Sequence, residues 1–197
     1  MNGEAHFMRE PVVIRANLLR GDRIWLTALN RADAPVMARW EYDNEYLRLM
    51  DSSPAHPRSE DEIVRWLDSL TKSQSDYTFG IRLIESDDLI GWAQLDGIVW
   101  AHGTTSLGIG IGNRNFWDHG YGTEAITLLL DFAFDELNLH RVHLTVFSYN
   151  ARAIHLYEQL GFQREGIHRE HIQRDGQRHD MLLYGILRHE WAAHQHR

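Results

Sequence analysis

The chain has 197 residues, 43% of them hydrophobic and 24% charged, the profile of one ordinary globular domain long enough to bury a core. A formal net charge of -8 disfavours a nucleic-acid binder, which needs a basic surface, and favours a cationic substrate drawn to an acidic face. With no cysteine, disulfides, thiolate-metal sites and a cysteine nucleophile are excluded.

Residues 1–11 are polar and without periodicity and read as a flexible tail, residues 12–191 as one domain, and residues 192–197 as a frayed C-terminal end. Val12-Val13-Ile14 and Ile24-Trp25-Leu26 read as extended segments flanking the turn Arg20-Gly21-Asp22. Residues 31–42 follow a helical pattern, with Ala34, Met37, Ala38 and Trp40 inward and Pro35 tolerable only near the first turn. Ser59-Glu60-Asp61-Glu62 is a capping box opening a second helix that runs to about Leu70. Between these helices, residues 43–58 are rich in Pro, Ser, Tyr and Met and read as irregular. They are either a plain connector or a substrate lip, with Tyr46 and Met50 as candidate contacts. Residues 77–84 and 89–98 then form a hairpin across 85–88.

The next strand carries Gly108, Gly110 and Gly112 at alternate positions, which strips one face of side chains and lets another molecule approach the backbone. Asp118-His119-Gly120-Tyr121-Gly122-Thr123 follows, and then Ile126, Leu129, Leu130, Ala133, Phe134 and Leu137 fall at helical spacing. Gly120 and Gly122 therefore sit at a helix N-terminus, where open amides and the helix dipole make an anion cradle suited to a nucleotide-like cofactor. A P-loop is excluded because no Gly-Lys-Ser or Gly-Lys-Thr occurs. A dinucleotide fingerprint is disfavoured because a polar, aromatic loop follows Gly112 where a helix should open. The bland alternative is that these glycines serve only a bulge and a tight turn.

After a strand near Arg141 and His143, which read as surface groups, Asn150 caps a short helix that Gly161 stops. Asn150, Ala153 and Tyr157 share one side of it. Residues 164–173 and 179–187 form a last hairpin across Arg174-Asp175-Gly176-Gln177. The 13 histidines do not make a metal centre: strand alternation sends His168 and His171 to opposite faces, and no His-Glu-x-x-His occurs. The longest apolar run, within residues 126–134, is interrupted by Asp131 and far short of the roughly 20 residues of a membrane span. With no signal-peptide pattern either, the simplest expectation is a cytoplasmic protein without a membrane partner.

The stretches WDHGYGTEAITLLLDFAF and NLHRVHLTVFSYNARAIHLYEQLGF resemble the GCN5-related N-acetyltransferase superfamily, in the branch that holds the ribosomal-protein alanine and spermidine acetyltransferases. The resemblance implies an α+β fold, a central twisted mixed sheet of about six to seven strands with about four helices, splayed between the cofactor strand and the next. It implies acetyl-CoA as acetyl donor and a small amine or a protein N-terminus as acceptor. The cofactor would meet the loop Trp117, Asp118, His119, Gly120, Tyr121, Gly122 and Thr123, and Asn150, Ala153 and Tyr157 beyond it. Amides near Ile109, Gly110 and Ile111, where the strand is expected to lose regularity, would polarise the thioester carbonyl. Tyr157 would be the general acid at the departing sulfur. The loop departs from the family's Gln/Arg-x-x-Gly-x-Gly/Ala at its first position, Trp117; Arg114 offers charge nearby. Many relatives carry a Glu at the start of the cofactor strand, and Thr105-Ser106-Leu107 offers no carboxylate. The base is then Asp96, also a candidate substrate contact, or Ser106 through a water relay, or a water chain alone. A non-catalytic acyl-CoA-binding module is the competing expectation, and a homodimer the commonest assembly for a soluble chain.

Overall fold

A computed structural model describes residues 17–70 and 72–195, so the expectations for residues 1–11 and for Val12-Val13-Ile14 lie outside the described residues. The elements are β1 (Ile24–Ala28), α1 (Ala34–Trp40), α2 (Asn44–Met50), α3 (Glu60–Leu70), β2 (Tyr77–Leu83), β3 (Leu89–Val99), β4 (Thr104–Ile111), α4 (Tyr121–Asp131), β5 (Arg141–Phe147), α5 (Ala151–Gln159), β6 (Gln163–Arg174), β7 (Gln177–Leu187) and α6 (Arg188–Gln195). The strands form one seven-stranded mixed sheet in the order β1-β2-β3-β4-β5-β7-β6, with β4 and β5 the parallel pair.

Strand alternation sorts the sheet into two cores. Ile24, Ala93, Leu95, Val142 and Leu144 pack against the apolar stripe of α4 (Ala125, Ile126, Leu129, Leu130) and against Tyr157 and Leu160 at α5. Each large aliphatic side chain sealed there contributes on the order of 1.5–3 kcal/mol. A smaller core of Ala34, Met37, Trp40, Tyr46, Ile63 and Leu67 joins α1, α2 and α3, with Trp92 of β3 packed against it.

Local chemistry sets the boundaries. Asn30 accepts from the Ala32 N–H at 2.9 Å while Asp33 accepts from the Asn30 N–H at 2.9 Å, so the helix expected over 31–42 opens with the tight turn Arg31–Asp33 before α1. The capping box at Ser59 forms as expected, with the Glu62 N–H donating to Ser59 Oγ and Ser59 N–H to the Glu62 carboxylate.

Three expectations are corrected. Residues 43–58 are not wholly irregular: Asp43 accepts from the Glu45 and Tyr46 N–H groups at 2.9 and 3.1 Å and so caps α2. Residues 192–195 are not a frayed end but the last part of α6, which is anchored by Trp191, 4% exposed, whose indole donates to Asp131 of α4 at 2.9 Å; residues 196–197 lie outside the described residues. His168 and His171 do not point to opposite faces. A register shift between His168 and Ile172, with Glu170 at φ 51°, cancels the alternation and brings their rings to 5.5 Å. Among the described residues no His, Asp and Glu cluster could hold a metal, and no helix is long and apolar enough to cross a membrane.

Candidate active site

The β4–β5 pairing runs only from Thr104↔Arg141 to Ser106↔His143, after which the two strands part. On its other edge β4 stays in register with β3 from Asp96↔Ser106 to Gly91↔Ile111, the shift lying beyond, toward Val99. The expected irregularity at residues 109–111 is therefore absent; what frees those groups is the loss of β5 as a partner. The Gly112 N–H donates to the Ile90 carbonyl, so by the alternation of an antiparallel ladder Gly110 and Gly108 also face β3. The N–H groups of Ile109 and Ile111 point the other way, into a cleft of about 980 Å³ between the parted strands.

What lies against the glycine face is the protein itself. A Cβ at Gly112 would fall 1.8 Å from the Trp40 ring, and one at Gly110 would meet Met50 Sδ at 3.0 Å and Trp92 Nε1 at 3.1 Å. The missing side chains admit α1 and α2 onto the strand and thereby set the floor of the cleft.

At one end of the cleft stands the first turn of α4. Gly120, at φ 80°, precedes it without any side-chain cap, which leaves the first-turn amides open to the cleft. A Cβ at Gly122 would meet Leu156 Cδ1 at 3.1 Å, and one at Gly120 would meet Arg23 Nη2 at 3.1 Å, so a side chain at either position would crowd the turn. Arg23 braces the turn from outside: Nη1 donates to the His119 carbonyl at 2.7 Å, Nε to Glu124 at 3.0 Å, and the guanidinium lies 4.9 Å from the Tyr121 ring centre. Trp117 donates from its indole to the Ile111 carbonyl at 2.7 Å, with Arg114 and Arg152 over its ring at 5.4 and 4.3 Å. The residue that departs from the expected loop pattern thus fastens the loop to β4. Asp118 pairs with Arg152 at 3.0 Å.

Across from this turn, Asn150 caps α5 by accepting from the Ala153 N–H at 3.2 Å and lines the cleft beside Ala153. Tyr157, 7% exposed, reaches the cleft from the same helix, and among the described residues its hydroxyl has no hydrogen-bond partner. Burial alone pushes its phenol up to about 12.

The other end is built by α2 and the lip after it. The Trp92 indole donates to the Tyr46 hydroxyl at 3.0 Å, and burial raises the Tyr46 phenol well above its ordinary range. Trp66 packs edge-on to Trp92 at 6.2 Å. Glu41, almost wholly buried, is held by Arg58 through Nε at 3.1 Å and Nη2 at 2.7 Å. The lip is tied across to the last hairpin: Arg174 donates to the Asp51 and Ser53 carbonyls at 2.9 and 3.0 Å, and Arg48 pairs with Asp175.

Of the residues expected at the site, Tyr46, Met50, Ser106, Ile109, Gly110, Ile111, Trp117, Asp118, Gly120, Tyr121, Gly122, Thr123, Asn150, Ala153 and Tyr157 all line this one cleft. His119 does not; its side chain is exposed, and its carbonyl serves Arg23. Asp96 does not either. It is exposed at the far end of β3 beside Asp76, and its carboxyl is raised by partial burial first and by Asp76 second. Sequence reasoning missed Trp66, Trp92, Glu41 and Arg58, which line the cleft, and Arg23, which braces it. Trp66 carried a signal, as a large apolar residue on the inward side of the helix that the capping box at Ser59 opens; Trp92 and the arginines carried none.

Residues 23–163 match the family described as "Acetyltransferase (GNAT) domain". The chain is 28% identical over 173 residues to the uncharacterized N-acetyltransferase p20 of Bacillus licheniformis, covering 87% of this chain and 97% of that protein. It is 24% identical over 181 residues to the [ribosomal protein uS5]-alanine N-acetyltransferase of Escherichia coli, covering 88% and 92%. Among solved structures, spermidine N-acetyltransferase from Vibrio cholerae in complex with CoA and spermine superposes with a TM-score of 0.78 at 25% identity, covering 86% of this chain and 98% of that one.

Proposed function

This chain belongs to the GNAT acetyltransferase family, and on that premise we propose that it moves the acetyl group of acetyl-CoA onto a primary amine, the acceptor being a small amine or a protein N-terminus. The observation that carries this reading is the parting of β4 from β5, which leaves open amides on one strand opposite the Tyr157 side chain, whose hydroxyl has no partner among the described residues. When bound, acetyl-CoA supplies a thioester carbonyl and a sulfur leaving group. The first-turn amides of α4, with Gly120 and Gly122, are suited to its diphosphate through the main chain, and Asn150 to its pantetheine arm.

In the transfer, a C–N bond forms as the C–S bond breaks, the nitrogen loses one proton and the sulfur gains one. An alkylammonium with a pKa near 10.4 is nucleophilic only in its minor neutral form, so a proton must leave before attack. Ser106, inside the cleft, relays that proton through water; Asp96, outside it, is the weaker candidate. The Ile109 and Ile111 N–H groups stabilise developing charge on the carbonyl oxygen, an effect on the order of 3 kcal/mol for one well-aimed donor. Tyr157 keeps its proton at neutral pH and delivers it to the sulfur.

A free-thiol release assay with acetyl-CoA and a panel of amines tests the proposal. Thiol release that depends on an amine supports it. Coenzyme binding with no release for any acceptor supports a non-catalytic acyl-CoA-binding module instead.

A further inference from the structure

We propose that the acceptor is a small primary amine with a single charge and an apolar, preferably aromatic, body, seated among Trp66, Trp92 and Tyr46, and that polyamines and protein N-termini are poor ligands of this site. This deepens the acetyl-transfer reading and rests on it.

The first argument is charge. A polyamine carries several ammonium groups and needs several carboxylates left over to face them. Among the described residues the carboxylates that line the cleft are those of Glu41, Asp51 and Asp118. Glu41 is taken by Arg58 and Asp118 by Arg152. Asp51 accepts the Ser53 N–H at 2.6 Å and lies in the field of Arg58 and Arg174. The net charge of -8 belongs to the chain as a whole and is not concentrated where the acceptor would sit.

The second argument is surface. Beside the Ile109–Ile111 backbone the walls are Met50, Trp92, Trp66 and Tyr46. Aromatic faces hold a single desolvated ammonium or a flat apolar body without a counter-charge. The Tyr46 hydroxyl accepts from Trp92 and keeps its own proton to donate, so it offers one oriented polar contact. The third argument is access: the lip bearing Asp51 and Ser53 is strapped to Arg174, and Arg48 to Asp175 and, through its carbonyl, to the Tyr149 hydroxyl at 2.8 Å. A chamber closed on that side admits a small molecule more readily than a folded protein's terminus.

Binding decides the matter independently of turnover. The full chain, saturated with coenzyme A, is titrated calorimetrically with phenethylamine, with spermidine and with a short peptide bearing a free N-terminus. Phenethylamine should bind about 10-fold or more tightly than either of the others, the scale expected of a desolvated aromatic contact. Spermidine or peptide binding as tightly, or no measurable binding of phenethylamine, overturns the proposal. Trp66→Leu should weaken phenethylamine about 10-fold at unchanged coenzyme affinity, while Trp66→Phe should retain most of the binding. If Trp66→Leu fails to fold, the Trp66→Phe variant and the ligand series still decide. Failure of every amine to release thiol would remove the acetyl-transfer reading while leaving this binding order to be read by itself.

Discussion

A phenol enclosed by hydrocarbon holds its proton, because the anion would lose its hydration with nothing to replace it. Tyr157 is in that position, with burial as the sole cause of its elevated pKa of about 12 and, among the described residues, no acceptor for its hydroxyl. At physiological pH it is fully an acid, and its titration cannot shape a rate profile below about pH 11. Rates between pH 7 and 10 should instead climb with the neutral fraction of the amine. Tyr157→Phe should lower kcat by about 10-fold or more, with the profile's shape and the coenzyme affinity nearly intact. Thiol-release kinetics and calorimetry read both, and an unchanged kcat would remove Tyr157 from the chemistry.

At the scale of elements, α2 depends on Asp43, which caps it and also receives the Arg114 guanidinium. That hydrogen-bonded pair holds the Asp43 carboxyl below the usual carboxylate range. A depressed folded-state pKa gives stability that is present above the unfolded value, near 3.9, and is lost as pH falls through the lower folded value. In the wild type α2 should therefore loosen only below about pH 4, seen as a fall in amide-exchange protection factors for residues 44–50. Asp43→Asn keeps a capping oxygen and loses the ion pair, which is half-exposed on Arg114 and therefore largely screened by solvent. Asp43→Ala loses both and should cost about 1 kcal/mol more by denaturant melts. The sequence held this cap in plain view, but the Pro, Ser and Tyr around it masked a seven-residue helix whose apolar face is too short to show a period. The elements around the cofactor end were legible because glycine and asparagine act locally there: Gly120 and Asn150 do in the structure what their neighbours alone imply. The acceptor wall was not, since Trp66 and Trp92 meet only after α3 has packed over β3. The bulge at Glu170, likewise, is set by pairing with β7 and not by its own residues.

Over the whole molecule, α6 packs back on α4, the helix whose first turn opens on the cleft. Trp191 is buried and bonded to Asp131, ten residues along α4 from Tyr121. Trp191→Ala should cost about 3–5 kcal/mol and lower Tm by several degrees, in the range of large buried aromatic truncations. A loss below about 1 kcal/mol would mean that α6 is only loosely docked. A second long-range tie has a different consequence. Arg114, in the turn that leads into the loop before α4, grips Asp43 and, at 2.6 Å, Glu45, both at the start of α2. The two halves of the cleft therefore share a fastening, and a ligand that steadies one half steadies the other. Thermodynamic reciprocity then requires the factor by which coenzyme A raises amine affinity to equal the factor by which the amine raises coenzyme affinity. In Arg114→Gln that common factor should fall toward unity in calorimetric titrations run in both orders, so that a bisubstrate enzyme becomes one whose two ligands bind without heed of each other.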